Sequence, residues 1–479
     1  MQTQRVHFIA QRSKRDIFGI PVLSLFFKNK YMLTLYRLTT LFLLVYAIIY
    51  GILNPTKENI FTTAVFWSIF WPFFMVITLP TLGNVFCMVC PHGFLGKHIT
   101  KFGLKLRIPK WFDNPYIGLI GSNILAYWFV IYTFPSFLKS PLITAIFFLF
   151  FTILSMLFFF LFRGMAYCKY ICPIGSVNTA FARTSPVWLS TYEEECKSCK
   201  KPDCALACPY ELNPSKFEER KSMMNCTMCM ECAHVCDAVK LEFRRFGYSL
   251  YERIKNPKMI EVMVYILLVA VITFTMRFHH GLSRTALSEY MPWVIVGNYL
   301  QKTFSIPKWV DMTGLVAMLM ALSLVLFLVR ASFTLVAKIT RKSFREVLLT
   351  LGYAFAPLMI VGGLSHVLEF FFIEYYHNIV NGFSQAFGLG IHAEPLAKRG
   401  DHWLHIFMIF PFVAGFWSMH ILWRRTEFIG KDRRLSVFLV SSILPVVYIL
   451  LSLFVLVGVL FFPAQHLHRH RSKFYDQKR

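Results

Sequence analysis

No cysteine precedes residue 87 or follows residue 236, acidic side chains number 25 against 50 Lys and Arg, and no apolar stretch near the N-terminus ends in a small-residue cleavage site. Each shortage excludes something. Twelve cysteines confined to that interval, all in close groups, argue against a disulfide framework and for ligands. The missing cleavage site leads us to expect that the first apolar segment stays in the protein. The shortage of acid leaves a net charge of +25. Most Lys and Arg, however, lie in short loops between apolar runs, where they set membrane topology and meet anionic lipid headgroups. Nucleic acid is therefore not an expected partner, whereas membrane lipid is.

What the chain has in quantity is apolar length. Of its 479 residues 56% are hydrophobic and 16% charged, and the mean hydropathy is +0.53. Several runs reach the about 20 residues that cross a hydrocarbon core of about 30 Å. The expected fold is an all-α polytopic membrane protein of nine transmembrane helices, at 34–53, 60–80, 116–134, 141–162, 259–277, 311–330, 347–371, 403–423 and 436–462, with a small inserted α+β module. The corresponding regions are a basic segment 1–33, a four-helix membrane repeat 34–184, the polar module 185–245, a five-helix membrane domain 259–462 and a basic His-rich tail 463–479. Loops 1–33, 81–115, 330–346 and 424–435 hold 21 Lys and Arg, and the alternate loops 54–59, 135–140, 278–310 and 372–402 hold 7. The positive-inside rule puts the first set, and the polar module, on the cytoplasmic face of a bacterial inner membrane, where thiols stay reduced. The tail, with His466, His468 and His470, falls on the other side by this count, a conflict that a re-entrant last span would remove.

The first four spans read as a duplication. Helix, short loop, helix and then an aromatic-Cys-Pro motif recur at an offset of 81 or 82 residues: Phe86-Cys87-x2-Cys90-Pro91-x-Gly93 and Tyr167-Cys168-x3-Cys172-Pro173-x-Gly175. The two copies have parallel topology, and repeats in membrane proteins commonly build one shared site. The thiols of Cys87, Cys90, Cys168 and Cys172 are candidates for a redox-active dithiol relay or for a bound third metal or cluster. Their alternative is a set of small buried hydrophobes.

The polar module carries Cys196-x2-Cys199-x4-Cys204-x3-Cys208-Pro209 and Cys226-x2-Cys229-x2-Cys232-x3-Cys236. The second has bacterial ferredoxin spacing, in which three thiolates hold one [4Fe–4S] cluster and the fourth reaches the other. One cluster then takes Cys196, Cys199, Cys204 and Cys236, and the other Cys226, Cys229, Cys232 and Cys208. Two departures stand out, the longer gap at Lys201, Pro202 and Asp203, and Asp237 where proline is usual. Structural zinc also uses closely spaced Cys pairs, but zinc ribbons separate their two pairs by a longer loop.

With these motifs, residues 31 to 245 resemble the membrane polyferredoxin family of the NapH, NosR and FixG (CcoG) type. Cys168 to Pro173 matches the CxxxCP of that family, and Cys87 to Pro91 is one residue short. Neither a large extracytoplasmic flavin domain nor an immunoglobulin-like tail is seen, so the resemblance is to NapH-like proteins. It implies electron transfer between the cytoplasmic side or the quinone pool and a periplasmic redox partner, a cytochrome or a reductase.

Clusters on one face cannot by themselves bridge about 30 Å of hydrocarbon. Ionisable groups inside spans are costly and are candidates for function. His366 with Glu369, and His402 with His405, come near the outer surface on successive helices and could form a haem b or quinol site, although interfacial hydrogen bonding is the plainer role for any one of them. The expected function is that of a membrane-bound iron–sulfur electron-transfer protein, quinol-linked. The alternatives are a copper or metal reductase assisting assembly of a respiratory metalloenzyme, which soft thiolates would suit, and a redox-sensing transporter.

Overall fold

The computed structural model describes residues 13–197, 199, 202–217 and 225–463; His466, His468, His470 and Lys201 lie outside them. Among the described residues, eight helices are long and apolar enough to cross a membrane: Lys30–Leu53, Ile60–Leu82, Pro141–Leu161, Met259–Arg284, Met312–Thr340, Phe344–Phe387, His402–Phe428 and Lys431–Phe461. The ninth expected span, 116–134, is the shorter apolar helix Ile117–Thr133. At about 1.5 Å per residue its length stays below the hydrocarbon thickness.

Residues outside the core follow helical periodicity. On the first span Leu35, Leu38, Phe42, Val45, Ile49 and Ile52 are exposed, three or four residues apart, so one apolar stripe faces outward as a helix in lipid requires. The opposite side buries Leu33, Arg37, Leu44, Ala47, Ile48 and Gly51.

The chain divides into two compact units: Met1–Asn123 with Leu138–Val264 and Phe370–Arg399, and Ile124–Phe137 with Tyr265–Glu369 and Gly400–Arg479. In the first, strands Val187–Thr191 and Val239–Phe243 pair antiparallel, with Leu189 opposite Leu241. They bracket the short helices Glu193–Lys197, Asp203–Leu206 and Glu231–Val235, which carry Cys196, Cys204 and Cys232. Trp188, Leu189, Val239 and Leu241 form one core with Ile17 and Phe18 of the N-terminal segment and with Leu33 and Met88. The polar module is therefore packed onto the membrane repeat. Asp16 secures the arrangement by accepting hydrogen bonds from the Leu241 amide and the Tyr192 hydroxyl.

A buried ion pair ties this region to the fifth span. Arg183 and Glu261 are 1% and 0% exposed, and the guanidinium Nη2 reaches both carboxylate oxygens at 3.3 Å. Removing one partner strands a charge in an apolar interior, so Arg183→Ala is expected to lower stability by about 3–5 kcal/mol. Thermal unfolding in detergent measures this, and an unchanged midpoint would contradict it. In the second unit the core is built from Phe274, Phe333, Tyr353, Phe355 and Tyr448, all fully buried.

Candidate functional site

The fold brings cysteines of the two module motifs together across the sequence. Cys208, from the first motif, lines one pocket with Cys226, Cys229 and Cys232 of the second. Cys204 hydrogen-bonds Cys236 and lies in electrostatic range of Cys196. The chain can wrap the cavity because Asn225, Met228 and Met230 take left-handed conformations, with φ of 67°, 49° and 62°. Such backbone is costly for residues other than glycine, and here two of the three, Met228 and Met230, are also buried.

Cys226 accepts the Met228 amide at 3.5 Å, and downstream amides lie close enough to favour thiolate at Cys208 (Tyr210 and Leu212), Cys229 (Glu231) and Cys236 (Ala238 and Val239). Without iron Cys208 and Cys229 hold their protons, since burial pushes both up, Cys229 to about 11. Loading a metal therefore releases protons. The residues fit a [4Fe–4S] cluster: four thiols from crossed motifs, an enclosed space and donors aimed at sulfur. Among the described residues no three of His, Cys, Asp and Glu are gathered as a single metal ion would need. Thiolates at about 2.3 Å from one zinc stand closer together than those spread around a cluster.

The Cys-Pro thiols form a third set. Cys87 lies in electrostatic range of Cys90, Cys168 and Cys172, and also of Cys226 in the neighbouring cavity. Burial raises Cys172 to about 12 and lowers His92, whose Nε2 stands 3.0 Å from the Thr152 hydroxyl, to about 4. The two motifs differ by one residue, and local winding absorbs the difference. Cys87 sits in the α-helical turn Val85–Met88, whereas Cys168 sits in the π-turn Tyr167–Ile171, closed by the Cys172 amide on the Tyr167 carbonyl at 2.8 Å. A π-turn holds one more residue per turn. Cys90 and Cys172 then emerge with matching backbone, φ −61° and ψ 124° against φ −55° and ψ 126°, the extended conformation a following proline demands.

Residues not singled out from sequence join the sets. Tyr210 lines the pocket of Cys208, Cys226, Cys229 and Cys232 and donates its hydroxyl to Cys168 Sγ at 3.6 Å, so it is a wall common to both. Arg37, buried within the first span, donates to the carbonyls of Met88 at 3.0 Å and Cys229 at 2.7 Å. A cation inside an apolar run was the available signal. Glu231 pairs with both Arg37 and Lys97. Asp237, in the usual proline position, pairs with Lys28 at 2.7 Å and so anchors the N-terminal segment.

In the second unit His366 meets His280, ring centroids 5.8 Å apart, and His402 meets His405 at 5.7 Å. Glu369, one turn beyond His366, pairs with Arg284 at 2.5 Å, and both lie in electrostatic range of His405. The expected histidines thus adjoin one Arg–Glu pair. Sequence reading passed over His279, His280 and Arg284 at the end of the fifth span. His279 also bonds Asp311 at 3.1 Å. Burial would raise the Asp311 carboxyl, but His279, Thr313 and the Gly314 amide together hold it well below the usual carboxylate range.

Comparison with known proteins falls on the Cys-Pro halves. Residues 63–109 and 144–190 each match the family described as a 4Fe-4S binding domain, an offset of 81 at both ends. Two uncharacterised proteins of Methanocaldococcus jannaschii are similar. One is 29% identical over 195 residues, 37% of this chain and 78% of the relative. The other is 30% identical over 169 residues, 34% and 65%. YccM of Escherichia coli, a candidate electron transport protein by its name, is 28% identical over 208 residues, 39% of this chain and 56% of the relative. No solved structure matches the chain. These similarities relate the chain to iron–sulfur proteins, through two copies of a cysteine-bearing half joined to eight helices that can cross a membrane.

Proposed function

We propose that the chain is a membrane-bound iron–sulfur electron-transfer protein. In this reading it passes electrons between the quinone pool, or a cytoplasmic donor, and a periplasmic cytochrome or reductase. The observation that carries it is the crossed set of Cys208, Cys226, Cys229 and Cys232 lining one pocket, with the Met228 amide donated to the Cys226 sulfur. Two [4Fe–4S] clusters bound by the eight module cysteines would supply one-electron sites. The protein's part is to hold the thiolates, keep water from them with Met228, Met230 and Leu189, and place a cation, Arg37, beside Cys229. The similarity to YccM, with its electron-transport name, supports the same role.

The histidines adjoining Arg284 and Glu369 are proposed as a quinol site, where neutral imidazole accepts a hydroxyl proton as the electron leaves. The test starts with protein purified anaerobically. About eight iron and eight acid-labile sulfide per chain should depend on the eight module cysteines. A quinol analogue should reduce the clusters, and both His366→Ala and the His402→Ala/His405→Ala double variant should slow that reduction at least about tenfold. Zinc without sulfide would overturn the cluster assignment, whereas full quinol-linked rates in both variants would remove the histidines from the site.

A further inference from the structure

We infer that Cys87, Cys90, Cys168 and Cys172 together hold a third [4Fe–4S] cluster, one site completed by the two halves of the repeat. The inference rests on the iron–sulfur reading of the chain and extends it to a site that neither half can form alone. Each stretch similar to a 4Fe-4S binding domain contains only two cysteines, Cys87 and Cys90 in 63–109, and Cys168 and Cys172 in 144–190. A cube bound by protein thiolates takes four. The structure brings the two pairs together, since Cys90 lies in electrostatic range of both Cys168 and Cys172.

Local geometry supplies a second, independent argument. The amides of His92 and Gly93 lie close enough to the Cys90 sulfur, and those of Ile174 and Gly175 to the Cys172 sulfur, to favour its thiolate. These are the second and third residues downstream, the same relation that Cys236 has to Ala238 and Val239 in the module. Proline immediately after each cysteine has no N–H of its own and turns the following two back toward the sulfur. Hydrogen bonds of this kind stabilise thiolate on iron and help set cluster potential. A dithiol relay would need an exposed, electropositive thiolate, whereas Cys168 and Cys172 pack among Phe158, Phe159, Tyr167 and Ile171.

The third site also touches the second. Tyr210 donates to Cys168 and its side chain lines the cavity of Cys208, Cys226, Cys229 and Cys232. An electron passing between the two clusters oxidises one and reduces the other by one unit, with no bond made or broken.

Iron, acid-labile sulfide and EPR of the full chain, purified anaerobically, test the proposal. Wild type should carry about twelve iron and twelve sulfide, and Cys90→Ser and Cys172→Ser about eight each, with both module signals intact. The double variant should also retain about eight, because both residues serve one site. Tyr210→Phe, which removes no ligand, should keep all the iron and make one potential more negative by withdrawing a hydrogen bond from sulfur. About eight iron in wild type, undiminished in the single variants, overturns the third cluster while leaving the module clusters standing. About four iron, lost in those variants, would instead mean that the Cys-Pro site is right and the module reading wrong. Losses that add in the double variant would mean two separate sites and would also overturn the proposal.

Discussion

Cys208→Ser is expected to remove the EPR signal and about four iron belonging to Cys226, Cys229 and Cys232, although Cys208 stands in the other motif. The ligands of the first motif, Cys196, Cys199 and Cys204, should keep their cluster, and Cys236→Ser should produce the reverse pattern. The reason lies in how the chain folds back: Cys208 shares a pocket with the second motif, whereas Cys204 hydrogen-bonds Cys236. Electron throughput should fall at least about 100-fold in either variant, since loss of a ligand exceeds the 10–100-fold cost of outer-shell changes. Should Cys208→Ser abolish the same signal as Cys196→Ser, the crossed assignment fails.

The second large effect separates two glycines that the motif treats as equivalent. A Cβ on Gly175 would lie 2.0 Å from the Cys168 carbonyl oxygen, a backbone atom that cannot rotate away. A Cβ on Gly93 would meet the Tyr210 hydroxyl at 3.6 Å and the Cys87 carbonyl oxygen at 3.9 Å, both ordinary contacts. Gly175→Ala should therefore cost at least about 1–3 kcal/mol, the range for overpacking that displaces backbone, and should release iron from the Cys-Pro site. Gly93→Ala should stay within about 0.5 kcal/mol of wild type. Thermal unfolding with iron analysis on both variants provides the comparison. Equal tolerance of the two alanines would mean that the second loop is wound otherwise than described.

Both predictions depend on contacts between residues distant in sequence, and they mark where sequence reading stopped. The duplication was visible because the aromatic-Cys-Pro motif is local, and the family match at 63–109 and 144–190 repeats it at the same offset. The one-residue mismatch between Cys87–Pro91 and Cys168–Pro173 looked like a break in that equivalence. Winding removes the break, since the π-turn Tyr167–Ile171 takes up the extra residue. Asp237 likewise read as a departure from ferredoxin spacing, and its role appears only with Lys28 beside it. His366, His402 and His405 could be singled out as ionisable groups in apolar runs. Their neighbours His280 and Arg284 could not, because they sit past the expected end of the fifth span, whose helix runs on to Arg284.

From the sequence alone came the apolar runs, the basic loops that alternate between them, the repeat and the cysteine spacing. Each is written in a few neighbouring residues, by hydrophobic length, by charge, or by the reach of a thiolate around one cluster. The tertiary structure decided how these pieces meet. Among the described residues it formed eight long apolar helices and the shorter Ile117–Thr133, and it put Phe370–Arg399 with the first unit. It set Arg37 against Cys229, 192 residues away, and Tyr210 against Cys168. Pairings of this kind leave no pattern in a single chain, because any buried cation or hydroxyl must find some partner and only packing determines which one it finds.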